Sequence, residues 1–293
     1  RESGVDVRQV SGSGPGGRIH IDDVKRHART TRTEPQYHHG STGAAAPPTL
    51  PDFSQWGDVQ REDFTSIRRK TAQHMARCWS TIPHVTLFEK ADATELESNR
   101  KHLQKHMKED GPRLTVTAVL LKVVAAVLRE HPKLRASIDT ANQQTIHKHY
   151  CHIGVAVDTE RGLLVPVIRD VDRKGLRQLS QELETIAEKA RQRKVTMDDL
   201  TGGVFTLTNL GGLGTGYFTP IINHPETAIL GVGRAVHEPV YDERTDEFAA
   251  RLMMPLSLSI DHRLTDGADG ARFLHAVVDA IENPLMVAFE TSQ

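Results

Sequence analysis

Apolar and polar positions along the chain switch between two periods, and the switches mark the elements. From Thr65 to Ser80 the apolar residues return at helical spacing, and Pro83 closes the run. His84 to Ala91 then alternates residue by residue, as a half-buried strand does. Asp92 and Glu95 have the spacing of a capping box for a helix reaching about Lys108. Residues 114 to 130 are apolar on nearly every side, which predicts a buried helix. The run is too short to span a bilayer, and Lys122 interrupts it. A strand pair is expected across HKHYCHIGVAVDT and GLLVPVIRD, then a helix with a long polar face from about Leu176 to Lys194. The last third, GVFTLTNLG, ETAILGVGRAV and FAARLMMPLSLSID, is strand-rich, with DERTDE as a hairpin turn, and a helix from about Ala268 to Ile281 closes the pattern. Strands that follow strands without a crossover helix predict an α/β (α+β) fold with a largely antiparallel or mixed sheet and flanking helices.

The periodic pattern lapses between residues 30 and 57, where GSTGAAAPP and Pro35, Pro47, Pro48 and Pro51 predict a semi-extended linker. Three segments result: 1–29, the linker 30–57, and 58–293. The first has a Gly-rich loop and a short helical stretch that Asp22 or Asp23 caps, and is too small to hold a core unless it belongs to a compact helical module. Gly12, Gly14 and Gly17 formally spell G-x-G-x-x-G, but no βαβ unit surrounds them, so a dinucleotide site is not expected.

At 293 residues, 38% hydrophobic and 26% charged, the chain has room for about two domains and one sizeable core. A net charge of −1 gives no global attraction to nucleic acid or to an anionic membrane. Cys78 and Cys151, the only two cysteines, lie far apart, so neither a disulfide framework nor a zinc site is indicated and a reducing compartment is expected. The chain opens on Arg1 without a signal peptide and is expected to be a piece of something longer.

The sharpest chemical constellation is SLSIDHRLTDGADGARFL, where a strand ends at His262 and Asp266 and Gly267 follow a short turn. A strand end presents a base rigidly, and a histidine exchanges protons near neutrality because its ordinary pKa is about 6.5. Taken alone, the pattern is better explained by a turn histidine followed by an Asp-Gly helix cap. His147, His149 and Cys151 would share one strand face and His152 the other, so they make no tetrahedral metal set. The glycines of LGGLGTGYF suggest a phosphate cradle less than a tight turn around a ligand channel. No G-x-S-x-G elbow occurs.

SLSIDHRLTDGADGARFL resembles the signature of the dihydrolipoyl acyltransferases of 2-oxoacid dehydrogenase complexes, which share His-x-x-x-Asp-Gly with chloramphenicol acetyltransferase. TSIRRKTAQHMARCWSTIPHVT, HIGVAVDTERGLLVPVIRD, GGVFTLTNLGGLGTGYFTPIINHPETAILGVG and RLMMPLSLSIDHR are similar to segments of that family in the same order, over nearly all of 58–293. The resemblance implies a chloramphenicol-acetyltransferase-like core that moves an acyl group between a dihydrolipoyl thiol and coenzyme A. It implies His262 as general base, Thr208 as donor to the oxyanion, and Asp266 as an architectural residue paired with the basic residue matching Arg68, with Gly267 in support. It also implies a trimer with the site between neighbours, built into a larger core, and a lipoyl group carried on a domain outside this chain. RESGVDVRQVSGSGPGGRIHIDDV resembles the family's peripheral subunit-binding domain without its first helix; Arg1, Arg8 and Arg18 match the arginines that anchor the 2-oxoacid decarboxylase and dihydrolipoyl dehydrogenase components. LPDFSQWG, IPHVTLFEKADATELE and YFTPIINHPETAILGVG look most like bacterial pyruvate-type members, so acetyl is the expected acyl group and the cytoplasm the expected setting, or the mitochondrial matrix in a eukaryote. A succinyl or branched-chain version, a catalytically silent scaffold homologue and a free-standing coenzyme A acyltransferase stay open as alternatives.

Overall fold

The computed structural model describes residues 10–31, 49–107, 111–159 and 162–284. The chain divides into two units, residues 1–62 and 63–293. In the first, a glycine loop precedes helix α1 (Ile21–Thr31). The Gly14 N–H donates to the Arg18 carbonyl at 3.0 Å, and Gly16 and Gly17 sit at φ 73° and 78°, in the left-handed region that favours glycine. A Cβ on Gly12 would come within 2.5 Å of two backbone carbonyl oxygens, so this glycine pattern serves a tight chain reversal. Asp23, 3% exposed, accepts from the N–H groups of Ser13 and His20 at 3.0 Å each, tying the loop to the first turn of α1. Of the two aspartates expected to cap, it is Asp23 that does so, reaching back as the third helical residue of a capping box does.

The second unit runs α2 (Ser66–Thr81), β1 (His84–Asp92), α3 (Thr94–His106), α4 (Val116–Glu130), β2 (Ser137–Asp139), β3 (Gln144–Ile146), β4 (Ile153–Val155), β5 (Val157–Thr159), β6 (Gly162–Leu164), β7 (Val167–Ile168), α5 (Leu176–Arg191), β8 (Phe205–Asn209), β9 (Ala228–Val232), β10 (Val236–Asp242), β11 (Glu247–Asp261) and α6 (Gly267–Glu282). The main sheet is ordered β1-β11-β9-β8-β4-β7, with β10 paired to the first half of β11. β8 is parallel to both β9 and β4, and the other pairs are antiparallel, so the expected mixed sheet is present.

Side-chain alternation along these strands gives the sheet two unlike faces. Phe205 and Leu207 of β8, Leu230 of β9 and Leu256, Leu258 and Ile260 of β11 pack in one core with Leu96 of α3, the apolar α4, Leu179 and Ile186 of α5 and Phe273, Val277 and Ile281 of α6. Thr206, Thr208, Ser257, Ser259 and Asp261 occupy the alternate positions. Above that second face, Ile222 of the loop before β9 packs with Cys78 and Ile82 against Ile229. Phe218 lies so close to Gly231 that a Cβ there would meet its ring at 2.6 Å.

Three local expectations need correction. Helix α3 starts after Ala93 without a side-chain cap, because Asp92 turns its carboxylate to the N–H and hydroxyl of Thr94. The expected strand pair splits into β4–β7 and β5–β6, since the Ala156 N–H leaves the hairpin and donates to Leu207 of β8 at 3.0 Å. His147 to Tyr150 are not strand; the segment before β4 pairs only at β3, with β2.

Candidate active site

The end of β11 is locked from several directions. The Asp261 N–H donates to the Thr227 carbonyl at 2.8 Å and the His262 N–H to the Pro83 carbonyl at 3.0 Å, while Leu264 and Thr265 donate back to the Asp261 carbonyl. The Asp261 carboxylate, 1% exposed, is gripped by Arg263 through Nε at 2.9 Å and Nη2 at 2.6 Å. A charge-assisted fork therefore joins the two neighbours of His262 and leaves little freedom to the backbone that carries it. The His262 ring is exposed and makes no hydrogen bond among the described residues. Nearby, His84 accepts the Ile222 N–H on Nε2 at 2.9 Å and faces the Ile82 carbonyl with Nδ1 at 2.8 Å, which requires the Nδ1–H tautomer. This imidazole staples the start of β1 to the loop over the second face.

Asp266 caps α6: its Oδ1 accepts the Asp269 N–H at 2.8 Å. Within one chain Asp266 and Arg68 are not paired. Arg68 sits in the first turn of α2, where its N–H bonds the Thr65 hydroxyl and its guanidinium lies against Gly162. The ion pair at this corner is Asp261–Arg263 instead. Gly267 meets no steric demand, whereas a Cβ on Gly270 would strike Leu87 at 2.8 Å; Gly270 is what lets α6 lie close on the sheet.

Thr208 is 7% exposed, and its hydroxyl has no hydrogen-bond partner among the described residues. Its cross-strand row runs Thr208–Gly231–Ser257, while His262 lies beyond Asp261, at the far end of β11. At about 3.3 Å per residue and about 4.8 Å between strands, the two side chains stand roughly 15–20 Å apart. One chain does not bring them together.

Elsewhere the second unit holds several perturbed groups. Burial pushes the Glu226 carboxyl up to about 7 and the Cys151 thiol up to about 12, and it lowers Lys148. Cys78, fully buried, lies 3.6 Å from His74 Nε2, but that nitrogen faces Asn223 Oδ1 at 2.9 Å, so the pair is not set up as thiol and base. The Nδ1 of His152 accepts the Asp170 N–H at 3.0 Å, a structural use for one member of the His/Cys run. Arg1 and Arg8 lie outside the described residues; Arg18 is exposed at the glycine reversal. Asp261, Arg263, His84 and Glu226 also hold the second unit together. Only the first two carry a local signal, opposite charges two apart at a strand end.

Among the described residues no helix is long and apolar enough to cross a membrane. Residues 57–289 match the model of the 2-oxoacid dehydrogenases acyltransferase (catalytic domain), and residues 1–25 match the e3 binding domain. The dihydrolipoyllysine-residue acetyltransferase components of the pyruvate dehydrogenase complexes of Haemophilus influenzae and Pseudomonas aeruginosa are 42% and 44% identical over 94% and 93% of this chain. The chain spans 50% of the length of each. A solved Azotobacter vinelandii dihydrolipoamide acetyltransferase superposes with a TM-score of 0.80 at 44% identity, covering 83% of this chain and 100% of that one. The cubic core of a pyruvate dehydrogenase multienzyme complex superposes equally well at 45% identity, with the same coverage. With its mixed sheet, its strand-end histidine and a match over most of its length, the chain belongs to the 2-oxoacid dehydrogenase acyltransferase family.

Proposed function

We propose that residues 58–293 transfer an acyl group, acetyl in the reading best supported by the relatives, between the S-acyl-dihydrolipoyl group of a lipoyl domain and coenzyme A. The observation that carries this is the separation of Thr208 from His262, each without an internal hydrogen-bond partner. Two copies of the chain complete what one cannot, with the base from one meeting the hydroxyl of the next in a trimer.

In such a shared site the His262 imidazole takes the proton of the attacking thiol, which at an ordinary pKa of about 8.5 is mostly protonated at neutrality. Sulfur adds to the thioester carbonyl, and the oxyanion accepts the Thr208 hydroxyl. Collapse expels the other thiolate, to which His262 returns the proton. No acyl-enzyme is needed. The Azotobacter vinelandii enzyme has been studied for the catalytic roles of a serine, a histidine and an asparagine, the last four positions after the histidine, as Asp266 is after His262. Threonine keeps the hydroxyl of serine. An aspartate that caps α6 supports the turn as an acceptor rather than as a donor to substrate.

Residues 1–29 we assign to recruitment of the decarboxylase and dihydrolipoyl dehydrogenase components, with Arg1, Arg8 and Arg18 as ion-pairing anchors and 30–57 as linker. The family model at 1–25 and the cubic core among the relatives support this, and the bacterial relatives support a cytoplasmic setting. Deleting residues 1–57 is expected to leave transfer to free dihydrolipoamide unchanged.

Subunit mixing tests the shared site. His262→Ala and Thr208→Ala are each expected to lose most activity, about 10²–10⁴-fold and about 10²–10³-fold. Co-expressed, they form mixed trimers in which one order of neighbours restores both groups, and activity rises well above the sum of the two homotrimers. Simple additivity, with mixing shown by mass spectrometry, places both groups on one subunit and defeats the reading. Assays with acetyl-, succinyl- and isobutyryl-dihydrolipoamide side by side decide the acyl group.

A further inference from the structure

A cavity of about 890 Å³ lies between α2, the β6–β7 segment, the chain beyond α5 and the turn 223–226; neither Thr208 nor His262 lines it. Most of its wall is apolar, from Ile67 and Met75 through Leu163, Val165, Val195 and Met197. Two of the ionisable groups in it have buried polar atoms. Glu226, 3% exposed, accepts the Thr206 hydroxyl at 2.6 Å. Lys148 has its Nζ buried without a hydrogen-bond partner. They interact electrostatically but do not reach ion-pair distance. A buried ammonium that lacks an acceptor costs free energy, and the gap before it is shaped for an acceptor brought from outside.

The charge around the gap sets the sign of that acceptor. Lys70, Lys148, Arg191 and Arg193 line the cavity, and Glu226 is the only acid among the described lining residues. Burial raises the Glu226 carboxyl to about 7, so near neutrality it is half protonated and able to donate a hydrogen bond. An ammonium beside a protonated carboxyl, set in an apolar wall, is complementary to a carboxylate with a hydrocarbon tail. An amine would meet the Lys148 ammonium, and an uncharged chain would leave it without an acceptor. The volume is that of a small-molecule site.

We propose that this cavity binds an apolar monocarboxylate, its carboxylate held between Lys148 Nζ and the Glu226 carboxyl and its tail along Leu163, Val165 and Met197. The site is separate from the acyl-transfer groups, and its existence does not depend on their assignment. Binding takes up a proton at Glu226. The other titratable groups facing it are Lys70 and His74 from α2, Tyr150 before β4, Arg191 at the end of α5 and Arg193 beyond it, and His224 in the adjoining turn. With these groups beside it, a Glu226 variant is needed to assign the pH dependence.

Isothermal titration of the intact protein with octanoate, octylamine and octanol tests this at pH 6 and pH 8. Octanoate is expected to bind saturably, one per chain, about tenfold tighter at pH 6 than at pH 8 if one proton with a pKa near 7 is coupled to it. Octylamine and octanol should bind at least tenfold more weakly. Lys148→Met, which keeps the stem and removes the charge, should weaken octanoate at least tenfold. Glu226→Gln, which keeps a donor, should retain binding at pH 6 and flatten the pH dependence. No saturable uptake of octanoate by the folded wild type overturns the proposal. So does octanol binding as tightly as octanoate, unchanged octanoate affinity in a Lys148→Met protein of native circular dichroism, or a pH dependence left undiminished by Glu226→Gln.

Discussion

The two faces of the central sheet are built from the same strands and do opposite things. On one, Phe205, Leu207, Leu230, Leu258 and Ile260 meet four helices and exclude water, and each such side chain contributes about 1.5–3 kcal/mol through burial. On the other, one residue along each strand, stand Thr206, Thr208, Ser257, Ser259 and Asp261, covered by α2 and a loop. Thr206 bonds Glu226, Ser259 bonds Thr86 at 2.9 Å and Asp261 bonds Arg263, while Thr208 bonds nothing among the described residues. The helix-covered face holds the fold and the other carries polar work. A hydroxyl left unengaged in a row of engaged ones is where a substrate would be met.

Mutations on either side should separate stability from activity. Phe205→Ala, on the helix-covered face, is expected to lose about 3–5 kcal/mol in urea unfolding, because a fully buried ring leaves a cavity. A loss under 1 kcal/mol would show that this face is not the stabilising one. Glu226→Gln comes next. Its carboxyl is protonated more readily in the folded chain than in the unfolded one, so its contribution is most favourable at low pH, declines as pH rises from about 4.5 to about 7, and stays as a penalty above that. The variant should therefore gain stability over wild type at pH 8, on the order of 3 kcal/mol, and gain little at pH 4. Equal effects at both pH values would mean that burial does not raise this group. Thr208→Ala should lower kcat about 10²-fold, near 2.7 kcal/mol, with KM little changed and unfolding within about 1 kcal/mol of wild type. A pure KM effect makes Thr208 a binding residue. The smallest change is Ser259→Ala, about 1 kcal/mol of stability for a lost buried hydrogen bond and no direct effect on the chemical step.

The sequence announces the helix-covered face far better than the other. The apolar run of α4 and the alternation of β8 and β11 are local and strong, so helix, strands and their order are legible. The break between β4 and β5 is not, because Ala156 leaves the hairpin for a bond to Leu207, a partner distant in sequence. Glu226 in HPETA looks like any surface acid, and only the assembled turn buries it. Thr208 by pattern alone is an ordinary β-branched strand residue; its expected role, and that of His262, came from resemblance over a long stretch. The Arg68–Asp266 pairing implied by the same resemblance is not formed within one chain, where Asp266 caps α6 and Arg68 lies by Gly162.

The pairing of β1 with β11 also orders events during synthesis. Among the described strands β1 has β11 as its only partner, through the ladder from His84–Asp261 to Asp92–Met253. The first of these strands is made well before its mate, with α3, α4 and α5 between them in the chain. Until then β1 lacks a partner on either side and Leu87 is unsheltered, the kind of segment that seeks wrong partners. Closure is a single long-range event of high contact order, slow beside the making of α4 or the β10–β11 hairpin. The same step seats the His262 N–H on the Pro83 carbonyl, so the strand end that carries this histidine is fixed only when the two distant strands have met.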